Sequence, residues 1–301
     1  MTLYGCPLCE RDESSPYYSV NGYALVQCRA CGTVAVRPMP GAEQLAAHYQ
    51  RAEYFAGEEG QGYADYTAMK KALRPHFQRR LRALASAFPQ RGKLLDFGCA
   101  AGYFLEMARS DGWEIAGVEL STEMARTATQ SLGIPVVSNL AALPPGTFQA
   151  ITLWEVIEHL PRPIDVLAQL SARLSPGGAL MLSTPNTAHW QAVRAKEKWV
   201  AFRPPSHLLY FTPTTLQRAL SAAGFAQISI RGVMPLPELP PLLEKSTASL
   251  QRGLANGSAY PWPLALILWR AIRLAAWGWQ RIRRPQDNPF ATLEAIAFKP
   301  K

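Results

Sequence analysis

Residues 93–105 read KLLDFGCAAGYFL. Leu94 and Leu95 run into Asp96 and Phe97 as a short, largely apolar strand. GCAAG, from Gly98 to Gly102, makes a tight turn, and Tyr103 to Arg109 continues in helix-forming residues. A buried strand, a glycine turn and a helix make the first half of a nucleotide-binding βαβ unit. The glycines let backbone approach a ligand where a Cβ would clash, and the helix start offers unpaired N–H groups. The dinucleotide fingerprint G-x-G-x-x-G is not met, because Ala100 and Ala101 stand between the two glycines. Asp96, placed ahead of the turn, suits a ligand with hydroxyls and a positive centre better than a pyrophosphate.

Outward from this stretch, strands are expected at Leu94–Phe97, Ile115–Glu119, Val136–Val137, Ala150–Trp154 and Ala179–Ser183, with Gln227–Val233 and Thr292–Phe298 as the sixth and seventh. Helices are expected near Tyr103–Arg109, Thr122–Leu132, Ile164–Leu174 and Thr214–Ala223. Such alternation builds a parallel α/β sheet. In an open sheet the ligand lies beyond the carboxyl ends of the strands, where strand order reverses. The residues after Phe97 and after Trp154 are therefore expected to face one site.

With Glu119 of GVELS at the end of the second strand, the DFGCAAG turn resembles motif I and the ribose-binding acid of the Rossmann-like S-adenosylmethionine (SAM) methyltransferases. The family's usual turn is D-x-G-x-G-x-G, and Ala100 stands where its middle glycine would. WEVIEHLP, from Trp154 to Pro161, resembles the corresponding motif of ubiquinone-biosynthesis O-methyltransferases. The Pro176-Gly177-Gly178 turn, the H-x-x-Y-F from His207 to Phe211 and the A-A-G-F from Ala222 to Phe225 extend the likeness over Leu94 to Phe225. The resemblance implies an α/β fold with a seven-stranded Rossmann-like sheet, helices on both faces and an antiparallel last pair. It implies SAM as cofactor, bound by Asp96, Gly98, Cys99, Ala100, Gly102, Tyr103, Glu119, Leu120, Asn139 and Trp154. The implied reaction is methyl transfer to a small or lipid-linked acceptor, oxygen being favoured. A sugar C-methyltransferase, an RNA base methyltransferase and a non-catalytic SAM-fold binding module are the alternatives. This chain lacks the N-P-P-Y-type motif that base-amine methylators usually carry after strand four, and nucleic acid is not the expected partner.

Glu155, Glu158 and His159 are the catalytic candidates. On one helical turn they lie at i, i+3 and i+4 and share a face. They position the loop, or His159 acts as general base oriented by a carboxylate, or the three hold a second divalent ion beside the acceptor. Arg203, His207 and Tyr210, in WVAFRPPSHLLYF, are the candidate acceptor contacts.

The chain opens with two C-x-x-C knuckles, Cys6–Cys9 and Cys28–Cys31. Four thiolates at this spacing close a tetrahedron around Zn²⁺ and leave no open position, so the expected metal is structural. A segment this short has no core of its own, and metal supplies its folding energy. Cys99, the fifth cysteine, is expected to pack in the turn.

The 301 residues carry a net charge of +9, which favours acidic partners. MTLYGCPLC has neither a basic start nor an apolar run, so a cytoplasmic protein with reduced thiols is expected. No apolar run is long enough to span a bilayer. A helix over Tyr66–Phe88 is expected, kinked or divided at Pro75, with Arg79, Arg80 and Arg82 read as a solvated face. Gly57–Gly62 is a candidate lid loop. Trp262–Arg284 reads as a basic, tryptophan-rich amphipathic helix suited to the inner face of an anionic membrane, or to a dimer face or lid. The expected organisation is a zinc ribbon (1–40), a helical cap (41–90), the SAM-binding core (91–233), an amphipathic insertion (234–289) and the last core strand (290–301).

Overall fold

The computed structural model describes residues 5–50, 66–233 and 288–301, with single helical positions between 271 and 282. The Gly57–Gly62 loop, the proline-rich start of the insertion and most of Trp262–Arg284 lie outside the described residues. In chain order come β1 (Ser14–Val20), β2 (Tyr23–Cys28), β3 (Val34–Arg37), α1 (Ala42–Tyr49) and α2 (Tyr66–Ala87). The alternating unit follows: β4 (Lys93–Phe97), α3 (Tyr103–Ser110), β5 (Glu114–Val118), α4 (Thr122–Leu132), β6 (Val136–Val137), β7 (Phe148–Trp154), α5 (Pro163–Arg173) and β8 (Leu174–Pro185). The remainder is α6 (Trp190–Ala195), β9 (Leu209–Tyr210), α7 (Pro213–Ala222), β10 (Ala226–Val233) and β11 (Thr292–Phe298).

Seven strands form one sheet in the order β10-β11-β8-β7-β4-β5-β6. β11 runs antiparallel to both neighbours, and the other pairings are parallel. Strand order reverses between β4 and β7, where an α/β sheet opens a crevice for ligand. Successive strand residues point to opposite faces. Leu95, Ile151, Leu153 and Leu180 accordingly pack with Leu167 and Leu170 of α5 and Leu216 and Leu220 of α7. Leu94, Ala150, Trp154 and Met181 pack with Phe77, Leu81 and Leu84 of α2, with Phe104 and Leu105 of α3, and with Leu132 of α4. Helices thus flank both faces.

Two expectations are corrected here. Pro75 lies inside α2 and does not divide it. A mid-helix proline costs about 3 kcal/mol. Burial of Phe77, Leu81 and Leu84 beyond it, at roughly 1.5–3 kcal/mol per large apolar side chain, outweighs that. The arginines of α2 are not one solvated face either. Arg82 is exposed, but Arg80 is buried, and Arg79 and Arg80 both grip Glu294 of β11.

The N-terminal strands form a second sheet, β1-β2-β3-β9, whose last member comes from between α6 and α7. The pairs are Val34 with Tyr210 and Ala35 with Leu209.

Candidate active site

The site begins at the β4 turn. Gly98 has φ +82°, and a Cβ there would lie 2.6 Å from Val156 Cγ2, so the turn after β4 and the chain after β7 touch only because residue 98 has no side chain. Ala100 has φ +45°, a left-handed conformation that costs a residue with a Cβ about 1 kcal/mol. This is the position where the resembling family carries glycine. The N–H groups of Gly98 and Cys99 donate to Val118 O at 2.8 and 3.1 Å, locking the turn to the end of β5.

Just beyond β5, Glu119 turns its carboxylate inward. One oxygen accepts from Ala100 N–H at 2.8 Å and the other from Ser121 N–H at 2.8 Å. Burial raises its pKa, and these N–H groups oppose the rise. Asp96, on the same side, is fully buried. Desolvation pushes it up to about 7, against the pull of the Thr152 hydroxyl, which donates to it at 2.6 Å, and of Arg80.

A cavity of about 460 Å³ opens between the β4 and β7 ends. Asp96, Gly98, Cys99, Ala100, Glu119, Leu120, Asn139, Trp154, Glu155 and His159 line it, joined by Leu45 and Tyr49 of α1, Phe77 and Phe104. Of the residues singled out from sequence, Gly102, Tyr103, Glu158, Arg203, His207 and Tyr210 do not line it. Gly102 caps α3 and packs on Leu132. Lys70 lies over the Tyr103 ring at 5.0 Å. Asn139 accepts from Ala142 N–H through its side-chain carbonyl and caps a short turn. Asn186, just past β8, is spent on structure, donating to Phe290 O and accepting from Ala188 N–H.

At the β7 end the spacing misleads. Glu155 is not on a helical turn with Glu158 and His159. It holds φ +55°, its N–H donates to Ser183 O, and the 3₁₀ turn starts only at Ile157. Glu158 points away from the cavity and accepts from Thr184 Oγ1 at 3.0 Å. Burial, then the charge of Glu155, raises its pKa far above the carboxylate range.

His159 is the hub. Its Nδ1 lies 2.7 Å from Ser206 O and 2.9 Å from Tyr49 Oη, and Tyr49 itself donates to Ser206 O at 3.1 Å. Burial lowers its pKa to about 4, against the Ser206 carbonyl. The His207 ring meets it edge-on, with centroids 4.9 Å apart. Glu158, His159 and His207 bring their ligand atoms within 4.8 Å of one another. As a cation site this set fits poorly. His207 holds Ala201 O through Nδ1, while Arg203 approaches its Nε2 at 3.4 Å, placing a guanidinium where a metal ion would sit.

The four thiols Cys6, Cys9, Cys28 and Cys31 have their sulfurs within 4.8 Å of one another, Cys6–Cys31 at 3.4 Å and Cys9–Cys28 at 3.5 Å. A tetrahedron of Zn–S bonds of about 2.3 Å has edges of about 3.8 Å, so the donor set fits Zn²⁺. Burial raises the Cys6 thiol. At Cys28 burial also works upward, but N–H groups of Cys31 and Ala30 and the neighbouring thiols bring it down to about 7.

Two features had no signal in the sequence. Tyr49 sits on a short helix 110 positions from His159. The Arg80 guanidinium, 4.1 Å over the Trp154 ring, joins α2 to the cavity wall.

SAM itself fits the crevice on this structure's own terms. Two buried carboxylates stand at adjacent strand ends, and Trp154 Nε1, on the cavity wall, is buried with no hydrogen-bond partner. A sheet of this order with such a crevice defines a SAM-dependent methyltransferase. The family model described as a methyltransferase domain matches residues 69–230, more than half the chain, and the chain belongs to that family. It is similar to the ubiquinone biosynthesis O-methyltransferases of Burkholderia pseudomallei (strain 1710b), 28% identical over 156 residues, and Chromobacterium violaceum, 30% identical over 156 residues. Each match covers 47% of this chain and 67% of the relative. Among solved structures, a SAM-dependent methyltransferase from Archaeoglobus fulgidus shares the fold with TM-score 0.51 at 18% identity, covering 83% of this chain and 100% of that one. Phosphoethanolamine N-methyltransferase 2 of Haemonchus contortus does so with TM-score 0.54 at 18% identity, covering 89% and 63%.

Proposed function

We propose that the protein methylates a hydroxyl oxygen of a small or lipid-linked acceptor, and that this hydroxyl is phenolic. The observation that carries the proposal is the state of His159. Its Nδ1 proton is held by Ser206 O at 2.7 Å, so Nε2 keeps its lone pair on a residue that lines the cavity. With a pKa of about 4, the ring is neutral at physiological pH and a weak base. A weak base draws a proton from a phenol, pKa about 10, far more readily than from an alkyl or sugar hydroxyl nearer the value of about 15.7 for water. The aromatic wall of Phe77, Phe97, Phe104 and Trp154 suits an aromatic acceptor. Relatives named as ubiquinone biosynthesis O-methyltransferases support oxygen as the atom methylated.

Bound SAM supplies a methyl group on a positively charged sulfur. The chain's own residues hold and align. Glu119 offers carboxylate oxygens to ribose hydroxyls, and Asp96 places negative charge on the cavity wall. The apolar lining excludes water, and His159 Nε2 takes the acceptor's proton. In this reading the four cysteines carry a structural Zn²⁺, and Glu158 with His207 braces the loop without a second metal. β9 ties the N-terminal strands to the core.

The lipid-linked acceptor is supported by Leu274 and Ile282, exposed apolar residues at 61% and 76% on the basic insertion. Among the described residues no helix is long and apolar enough to cross a membrane. Sedimentation with anionic vesicles, lost on deleting 262–284, is the expected result. The central test incubates protein and labelled SAM with a panel of phenols, sugars and amines. A methyl ether of a phenol is expected, with a fall of roughly 10²–10⁴ in kcat for His159→Ala and S-adenosylhomocysteine affinity within about twofold. An N- or C-methylated product, or an active His159→Ala enzyme, refutes the proposal.

A further inference from the structure

The four-cysteine segment is wired into the acceptor side of the active site. β3 follows the second knuckle directly. Val36 N–H donates to Leu208 O at 2.9 Å, and Leu208 N–H donates to Glu158 O at 2.8 Å. Two backbone hydrogen bonds therefore run from β3 to the turn carrying His159. The segment that β3 grips also supplies Ser206 O, the group that fixes the His159 ring.

Side chains follow the same route. Leu25, Val34 and Val36 pack with Trp199, Phe202 and Tyr210. Cys28, Cys31 and Ala35 belong to the cluster that contains Leu208, Leu209 and Phe211. The first knuckle, Cys6 to Cys9, borders a groove whose other wall is Pro161, Arg162, Ile164 and Asp165, the chain just after His159. The second knuckle thus reaches the His159 turn through β3, and the first faces the chain just after that turn across the groove. The cofactor end is held differently. Asp96 is bonded to Thr152, the turn N–H groups to Val118 O, and Glu119 to Ala100 and Ser121. None of these bonds involves the ribbon.

We propose that the ribbon is the positioning element of the acceptor half of the active site: metal held by Cys6, Cys9, Cys28 and Cys31 fixes β3, β3 fixes the 203–210 segment, and Ser206 fixes His159. This rests on the reading of His159 as the acceptor-side base. Metal loading then governs alignment of the acceptor and leaves cofactor capture alone, so one half of the site is conditional on the state of four thiolates about which the other half is indifferent.

The test uses full-length protein, metal-loaded, chelator-stripped and reloaded with Zn²⁺, alongside Cys28→Ser and Val36→Pro. The second variant lacks the N–H that meets Leu208 and leaves every thiol in place. Each sample is measured by calorimetry with S-adenosylhomocysteine, by amide hydrogen exchange, and for methyl transfer to the phenol panel. Stripping and both variants are expected to speed exchange over 155–162 and 199–211 but not over 93–140, and to leave S-adenosylhomocysteine affinity within about twofold. They are expected to lower kcat/KM at least about tenfold, with Zn²⁺ restoring the stripped sample. Unchanged exchange over 199–211 after metal removal overturns the inference. So does a loss of S-adenosylhomocysteine affinity in parallel with activity, which marks a general loss of fold. The two proposals fail separately. An active His159→Ala enzyme sinks the base and leaves the exchange coupling standing, whereas an inactive one with unaltered exchange in stripped protein sinks the ribbon's role alone.

Discussion

Glu294 is the residue whose neutralisation should be felt most widely. It lies in β11, 1% exposed, and accepts from Arg79 at 2.6 Å, Arg80 at 2.9 Å and Arg231 at 2.9 Å. The arginines are not equivalent: the side chains of Arg79 and Arg231 are 35% and 50% exposed, whereas that of Arg80 is 8% exposed. Water resolvates the first two when Glu294 becomes Gln, so Arg80 is the buried cation that loses its hydrogen-bonded counter-ion, with the longer-range charges of Asp96 and Glu155 left to it. At an effective dielectric of about 20, a pair 2.9 Å apart attracts by roughly 6 kcal/mol before desolvation is charged against it. Removing one partner of a buried pair typically costs about 3–5 kcal/mol. We expect Glu294→Gln to lose about that much in urea unfolding near pH 7. Arg80→Met/Glu294→Gln should lose less than Glu294→Gln alone, because the orphaned charge leaves with its partner. The pH dependence has a definite sign. Burial works to raise the Glu294 pKa, but Arg80, then Arg231 and Arg79, bring it below 4.5. A depressed carboxylate contributes fully above its unfolded pKa and loses that contribution as pH falls through the folded value. The cost of Glu294→Gln should therefore hold from about pH 7 down to about 4.5 and shrink below it. A cost under about 1 kcal/mol, or one independent of pH, refutes the reasoning.

Other expectations follow from the same geometry. Tyr49→Phe removes one hydroxyl from His159 and Ser206; kcat should fall about tenfold, the worth of one hydrogen bond of about 1.4 kcal/mol, with S-adenosylhomocysteine affinity unchanged by calorimetry. At saturating SAM, the acid limb of kcat/KM for the acceptor should lie near pH 4, since only neutral His159 accepts a proton and its pKa is held to about 4; a limb near 6.5 would mean an exposed imidazole. Asp96, raised to about 7 by burial, should make SAM affinity rise with pH through about 7 more steeply than that of uncharged-sulfur S-adenosylhomocysteine. The same raised pKa means that folding stability is lost as pH rises through 7, so Asp96→Asn should stabilise unliganded protein near pH 8 by on the order of 2–4 kcal/mol. Glu119→Ala leaves Ala100 and Ser121 N–H without their acceptor and should weaken S-adenosylhomocysteine binding about 10- to 100-fold, read by calorimetry.

Local signals in the chain were read well. α4 begins and ends where its Ser121 cap and Gly133 stop place it, and β11 occupies Thr292–Phe298, the expected span. The cofactor crevice was legible for the same reason: its carboxylates sit at strand ends, and strand ends can be found from a run of apolar residues and a glycine. β8 extends back to Leu174, beyond the expected start at Ala179. There the P-G-G stretch is held by the chain's end, with Gly177 N–H on Lys299 O and Lys299 N–H on Gly178 O.

What the sequence hid lies between segments rather than within them. The spacing of Glu155, Glu158 and His159 suggests a shared helical face only if a helix starts at Glu155. The β7 end instead has to meet Gly98, and the backbone turns at Glu155 with φ +55°. A strained residue at such a place stores energy at the site, and here its effect is to send Glu158 into the core and leave His159 on the cavity wall. His159 then takes its partners from α1 and from the segment next to β9, 110 and 47 positions away. In the proposed reading, the cofactor half of this site is thus built from one βαβ unit and its neighbour, and the acceptor half is assembled from the N-terminus, the middle and the last third of the chain. Alterations in α1, the ribbon or the 199–211 segment would then act on the acceptor through His159 and leave in place the bonds that hold Asp96 and Glu119.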